Sequence, residues 1–374
     1  MMDNLPHPEM AHRGDLPELL DFLHRVFSER TPGHARFEDI SPDLFRDSEE
    51  KAGRFLVLRD EGRIVAAAGS HPSTLNIAGC KISAIGLGQV ATAPEMTGRG
   101  GMTRLLNATI ARMKEEGAAV SWLGGRRDRY GRFGWEYILS GYNYSISEKI
   151  GHSADDSFLV SQEKCEDAVI TEDMFAMRAS CVYVSDSLEN YSVRITRKAG
   201  ELFMAHGRNS SSPVAWAVAS PAEKRIVEYS GAVEGIVKIV KTAAVRLGGV
   251  SAFVSPVDKG LNERLRAESS GVGFAGQMLL VVSIRKTVEQ YAPYIEARLP
   301  KGCGVTLRMS LPGGGFEEAD IGSGGAVVEL DRKSMVRLLF GPERATDIPG
   351  VDPSLVQLDT IFPLPFCIQP LFSV

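Results

Sequence analysis

The sequence predicts a mixed α/β protein in three parts. Three observations carry that reading: β-type apolar runs alternate with amphipathic helical runs, the strand-then-helix order restarts near Gly151, and 374 residues exceed what one ordinary core holds. The expected parts are residues 1–150, 151–271 and 272–374. With 44% hydrophobic and 24% charged residues the chain reads as an ordinary globular protein, and a net charge of −5 offers no basic footprint for nucleic acid. No apolar run approaches the roughly 20 residues of a bilayer span, and the opening MMDNLPHPEM lacks the basic flank and apolar core of a leader. No membrane partner and a cytoplasmic location are therefore expected. The five cysteines form no C-x-x-C pair, and the seven histidines, all at or before His206, show no metal-ligand spacing, so no metal is expected.

In the first part, residues 15–27 place Leu19, Leu20, Phe22, Val26 and Phe27 on one helix face, opening under Asp15 with Pro17 in the first turn. Two β-type runs follow, 53–60 and 62–71, joined by Asp60-Glu61-Gly62 as a hairpin. A strand over Ser83–Thr92 changes parity, with Ile85 and Leu87 on one face and Val90 on the other. One extra residue near Gly88, a β-bulge, accounts for the slip. A helix over Gly101–Glu116 carries Met102, Leu105, Leu106, Ile110 and Met113 on one side, and Gly117 ends it. A strand at 118–123 then leads into GGRRDRYGRFGWE, a polar glycine-rich turn holding Tyr130, Phe133 and Trp135.

The second part repeats the order: a hairpin of 202–208 with 214–221, a strand at 226–231 and a helix over Val233–Leu247, without a glycine-rich loop. In the third part a strand near Met278 precedes a helix around Val288–Arg298. Strands at Gly304–Ser310 and Ala326–Leu330, a helix at Arg332–Phe340 and the apolar tail 361–374 complete it.

The stretch PEMTGRGGMTRLL costs helix stability, because glycine beside a helix is worth roughly 1 kcal/mol less than alanine. What it offers is access. A helix N-terminus presents unpaired N–H groups and a positive partial charge, and Gly98, Gly100 and Gly101 leave them unobstructed while Arg99 adds a cation suited to phosphate. A bulged strand, glycine loop and helix can together hold a pyrophosphate and pair with an extended amide-containing ligand, and coenzyme A has both parts.

These residues resemble the GCN5-related N-acetyltransferases (GNAT), whose cofactor motif R/Q-x-x-G-x-G/A follows a strand. Here TGRGGM places Thr97 where Arg or Gln is usual and Met102 where Gly or Ala is usual. The wider context, QVATAPEMTGRGGMTRLL followed by WLGGRRDRYGRFGWEY and a Phe- and Pro-rich end, resembles the enhanced intracellular survival (Eis) type, in which a large residue at the position of Met102 is usual. The resemblance implies a catalytic GNAT domain, a degenerate GNAT-like domain and a sterol-carrier-protein-like α+β domain, in a homo-oligomer of up to six subunits. It implies direct transfer of acetyl from acetyl-CoA to an amine, an aminoglycoside, polyamine or lysine among the possible acceptors. Backbone groups at Val90, Ala91 and Thr92 would orient the acetyl and pantetheine parts, and Thr97, Gly98, Arg99, Gly100, Gly101, Met102 and Thr103 would hold the pyrophosphate. Tyr130 would act as general acid, and the terminal carboxylate, here that of Val374, as base.

Other readings stand beside these. GLGQVA (86–91) satisfies the dinucleotide fingerprint G-x-G-x-x-G/A, but Pro94 follows where a helix must open. Tyr130 also suits packing with Phe133 and Trp135, and His71 suits a structural role in its strand. Asp21, Glu29 and Asp39 could attract a cation or simply face solvent. A non-catalytic acyl-CoA-binding protein and a lipid-binding protein are the alternative functions.

Overall fold

The computed structural model describes residues 7–152, 157–196 and 200–372. Most of its strands belong to one sheet. Across it run Glu9–Met10, Phe55–Asp60, Arg63–Ile77, Cys80–Thr92, Val120–Leu123, Gly271–Val281, Glu136–Ile146, Val250–Val254, Arg225–Gly231, Pro213–Ser220, Glu201–Gly207 and Phe158–Lys164, with Tyr183–Val184 beside Arg63–Ile77. A separate sheet of Phe316–Gly322, Gly304–Ser310 and Ala326–Leu330 lies near the C-terminus.

Gly271–Val281 joins the two halves of the large sheet. Its C-terminal end pairs antiparallel with Val120–Leu123, and its whole length pairs with Glu136–Ile146. The alternation of MLLVVSI marks only the end of this strand. Its first residues, Gly271 to Ala275, are mostly exposed and glycine-rich, so they carry no apolar signal.

Several elements coincide with expectation. The helices Gly101–Glu115, Val233–Leu247 and Arg332–Phe340 and the strands Gly304–Ser310 and Ala326–Leu330 form where periodicity places them. The helix expected at Val288–Arg298 is instead two short ones, Ile284–Gln290 and Ala292–Glu296. Ser283 caps the first, and Pro293, which cannot donate an N–H, forces the break at Tyr291. The strand Phe316–Gly322 was not expected, because Glu317, Glu318 and Asp320 crowd its middle and leave little apolar signal. Ala319 and Ile321 supply its buried face.

The N-terminal core packs helix Leu16–Arg30, through Leu19, Phe22, Leu23 and Val26, and helix Gly101–Glu115, through Leu105, Leu106 and Met113, against the strands around Phe55–Thr92. The expected bulge is present. Ala67 faces Ala91 but Gly69 faces Gly88, so Gln89 and Val90 together oppose Ala68. Gln89 takes φ 49°, and its Oε1 lies 2.7 Å from Nε2 of the buried His71. Burial pulls His71 down to about 4, outweighing the Gln89 hydrogen bond that raises it, so the ring is neutral at neutral pH.

A histidine held neutral in the fold but titrating near 6.5 when unfolded stabilises the protein fully above pH 6.5, and that contribution is lost as pH falls toward 4. Chemical denaturation at pH 7 and pH 4.5 should show the wild type losing about 2–3 kcal/mol more than His71→Asn over that interval. Parallel losses in the two proteins would mean that His71 is not held neutral.

Candidate functional site

Strand Cys80–Thr92 pairs with Val120–Leu123 only over Ala84–Gly86. Beyond Gly86 the two part, and Leu87–Thr92 has no strand on that side among the described residues. Ala93 N–H bonds to Val65 O, so by the alternation of a strand Ala91 also faces the neighbouring strand while Val90 and Thr92 turn their backbone groups into the opening.

Below the opening the chain turns through the glycine loop. Gly98 and Gly100 have φ of 80° and 83°, a left-handed conformation that a side chain would strain. Gly100 is the N-cap of helix Gly101–Glu115. No side chain caps this helix and its first turn holds no acid, which leaves its leading N–H groups available. Val90, Thr92, Thr97, Gly98, Gly100, Gly101, Met102 and Thr103 line one cavity of about 390 Å³, with Arg30, Arg129 and Arg132. Ala91 is buried and does not line it, and Arg99 is exposed, its Nη1 3.8 Å from Sδ of the lining residue Met96. The arginines that line the cavity beside the loop are Arg132, whose Nη2 donates to Thr103 Oγ1 at 3.0 Å, Arg129 and Arg30. Arg30 ends the first helix, and only its place in that helix's last turn hints at it in the sequence.

A second cavity, of about 410 Å³, adjoins the first and shares Arg30, Val90 and Arg129 with it. Tyr130 borders this second space. The tyrosine is 7% exposed, packs edge-on to Trp135 at 6.3 Å, and leaves no room for a Cβ on Gly125, which would lie 2.7 Å from its ring. The residue thus packs, as one reading expects, and also borders a cavity. Burial raises its pKa, offset in part by Arg129 and Arg30, so it is a protonated phenol at neutral pH. Val374 lies outside the described residues. Phe372, two residues earlier, is buried and shares a cavity of about 480 Å³ with Asp43, His71 and Ser73 of the N-terminal part.

Other candidates fall elsewhere. Residues 86–91 lie inside a strand, which is not the strand-to-helix turn a dinucleotide fingerprint requires. Asp21 pairs with Arg36 on the surface. Burial raises the thiols of Cys80, Cys165, Cys181 and Cys367, which makes them poor nucleophiles. Among the described residues no three His, Cys, Asp or Glu side chains cluster as metal ligands, and no helix is long and apolar enough to cross a membrane.

Residues 8–138 match the family described as "Acetyltransferase (GNAT) domain". This segment is a GNAT acetyltransferase domain. With it, the protein is an acyltransferase. No curated protein matches the sequence. Solved structures share the fold along essentially the whole chain. A GCN5-related N-acetyltransferase from Kribbella flavida is 18% identical with a TM-score of 0.72, covering 100% of this chain and 99% of that one. A conserved protein from Enterococcus faecalis V583 described as a probable N-acyltransferase is 14% identical with a TM-score of 0.69, covering 97% of each. Eis1 from Mycobacterium abscessus is 14% identical with a TM-score of 0.67, covering 99% of each.

The loop geometry makes a direct prediction. Gly100→Ala should weaken CoA binding by about fivefold or more in calorimetry, since a left-handed alanine costs roughly 1–2 kcal/mol. Gly14→Ala, where a Cβ meets nothing within 4 Å and φ is not positive, should bind CoA like the wild type. Equal affinities for all three proteins would place the phosphates elsewhere.

Proposed function

We propose that the protein transfers an acetyl group from acetyl-CoA directly to an amine. The observation that carries this reading is the contiguity of the two cavities. One is lined by the open glycine loop and the strand's free edge, the other by a protonated tyrosine, and both meet at Val90. The fit to CoA rests on uncapped helix N–H groups and two arginines for the pyrophosphate, and on the unpaired edge at Val90 and Thr92 for the amides of pantetheine. Thr97 lines the same cavity but is too short to reach as an Arg or Gln would, and Arg129 and Arg132 supply the charge in its place.

The neutral amine attacks the thioester carbonyl, the new C–N bond forms, and the C–S bond breaks with its electron pair on sulfur. The Tyr130 phenol gives its proton to that thiolate. The amine's surplus proton passes to the α-carboxylate of Val374. Support for that last assignment is the burial of Phe372 beside N-terminal residues, since two further residues extend the chain by at most about 7 Å. Residues 272–374 are read as the sterol-carrier-like part and 151–271 as the second GNAT-like part. A three-stranded sheet backed by helix Arg332–Phe340 supports the first of these, and the strand-helix order up to Val233–Leu247 supports the second.

Release of CoA thiol on mixing acetyl-CoA with an amine panel tests the reaction. Tyr130→Phe should lower turnover about tenfold or more, the usual scale of acid–base contributions, with acetyl-CoA affinity nearly intact. Unchanged turnover would leave Tyr130 a packing residue only. Residues appended after Val374, or deletion of Phe372–Val374, should cut turnover far more than CoA binding, with the circular dichroism spectrum retained. A fully active C-terminally extended enzyme would remove the carboxylate from the mechanism.

A further inference from the structure

The cavity beside Tyr130 has a composition of its own. Phe27, Phe37, Ile40 and Leu87 form its apolar wall, with Phe27 and Phe37 edge to face at 4.9 Å. Its charged lining is Arg30, Arg126 and Arg129, and among the described residues no aspartate, glutamate or lysine lines it. Of the carboxylates near in sequence, Asp128 pairs with Arg126 itself in an exposed contact at 2.7 Å, Asp21 and Glu38 pair with Arg36, and Glu29 and Asp39 do not line the space. Arg30 and Arg129 make no ion pair among the described residues, and both act electrostatically on Tyr130, which places their charge at the reacting end of the space.

A polycation entering this space would meet like charges. Each such pair within several ångströms costs about 1 kcal/mol or more at surface-like dielectric, and nothing in the lining repays it. A carboxylate would instead meet guanidinium groups whose fork geometry matches it. The cofactor claims Arg129 with Arg132 and the loop N–H groups, which leaves Arg126, lining only the second cavity, and Arg30, at the border of the two, for the acceptor.

Resting on the acetyl-transfer reading above, we propose that the acceptor is a small amine bearing a carboxylate and an apolar body, and not a polycation. Its apolar body lies on Phe27, Phe37 and Leu87, its carboxylate is held by Arg30 with Arg126, and its amine faces the strand edge at Val90. A space of about 410 Å³ suits an acceptor the size of an aromatic amino acid.

The test compares phenylalanine, phenylalaninamide, phenethylamine and spermidine as acceptors, with acetyl-CoA binding measured alongside. Phenylalanine should exceed phenylalaninamide in kcat/KM by about tenfold or more, with spermidine slowest and the preference shrinking as salt rises. Arg30→Gln and Arg126→Gln should each reduce the ratio toward one, with the loss falling on phenylalanine and KM for acetyl-CoA changed less than threefold. A variant that raises KM for acetyl-CoA tenfold and keeps the ratio would assign its arginine to the cofactor and overturn the proposal. A protein that fails to bind acetyl-CoA loses the acetyl-transfer reading itself. One that binds it and prefers spermidine or phenethylamine, or turns over none of the four acceptors, loses only the inference about the acceptor.

Discussion

The site depends on one local constraint, the left-handed residue Gln89 locked by its side chain to a buried neutral imidazole. A non-glycine residue at φ 49° is strained on its own account, roughly 1 kcal/mol or more, and persists only where its surroundings over-determine it. Those surroundings are tight. A Cβ on Gly69 would lie within 2.9 Å of His71 Nε2, of Phe55 and of Gln89 Oε1 alike, so glycine at 69 is what allows the imidazole and amide to meet. The bulge bends strand Cys80–Thr92 after its last pairing with Val120–Leu123, and the vacated edge becomes the wall of both cavities. Strain at Gln89 is thus the structural cost of an open strand edge in the middle of a large sheet, where an edge would otherwise be closed by pairing.

The second half of the sheet reinforces this. Val120–Leu123 cannot follow the bulged strand because its other side is taken by Gly271–Val281, which also holds Glu136–Ile146. A strand far along the chain therefore fixes one arm of the opening. The turn bearing Tyr130 connects Val120–Leu123 to Glu136–Ile146, both of which this same strand clamps. The proposed acid needs rigid support, and pairing across more than a hundred residues of sequence supplies it to this turn.

Much of this was legible in the sequence where the physics is local. The parity change between Leu87 and Val90 marks the bulge because a strand's period is two, and the glycines around Arg99 mark the helix N-terminus because only they suit φ near +80°. What escaped was set by distant parts. That Arg129 and Arg132 line the cavity at the loop depends on where the turn after Leu123 lies relative to helix Gly101–Glu115. That Arg30 joins them depends on where the first helix ends in space. Phe316–Gly322 escaped for a different reason, since three of its seven residues are acidic and its buried face offers only Ala319 and Ile321. Met278–Val281 is legible as a strand, but its insertion between Val120–Leu123 and Glu136–Ile146 is not, because the exposed, glycine-rich start at Gly271–Ala275 is recognisable only by what it pairs with.

The C-terminal tail ties together residues far apart in sequence. Phe372 stacks on Tyr191 at 6.0 Å, and the guanidinium groups of Arg178 and Arg194 lie over its ring at 5.7 and 4.6 Å. Arg194 also pairs with Asp43 at 2.7 Å, so the middle part grips the tail with one face of a side chain and the N-terminal part with the other. Glu228, buried nearby and pushed up to about 8 by that burial, is mostly uncharged at neutral pH. The charge of the buried Arg178 is therefore met chiefly by ring faces and by the carbonyl of Val184, to which it donates, and not by a full ion pair. Ring-face contacts of this kind are comparatively indifferent to salt and to small displacements, whereas an ion pair would compete with the Arg194–Asp43 contact for the same carboxylates. The aromatic seat can thus hold the tail against the N-terminal part without drawing on the arginines that line the two cavities.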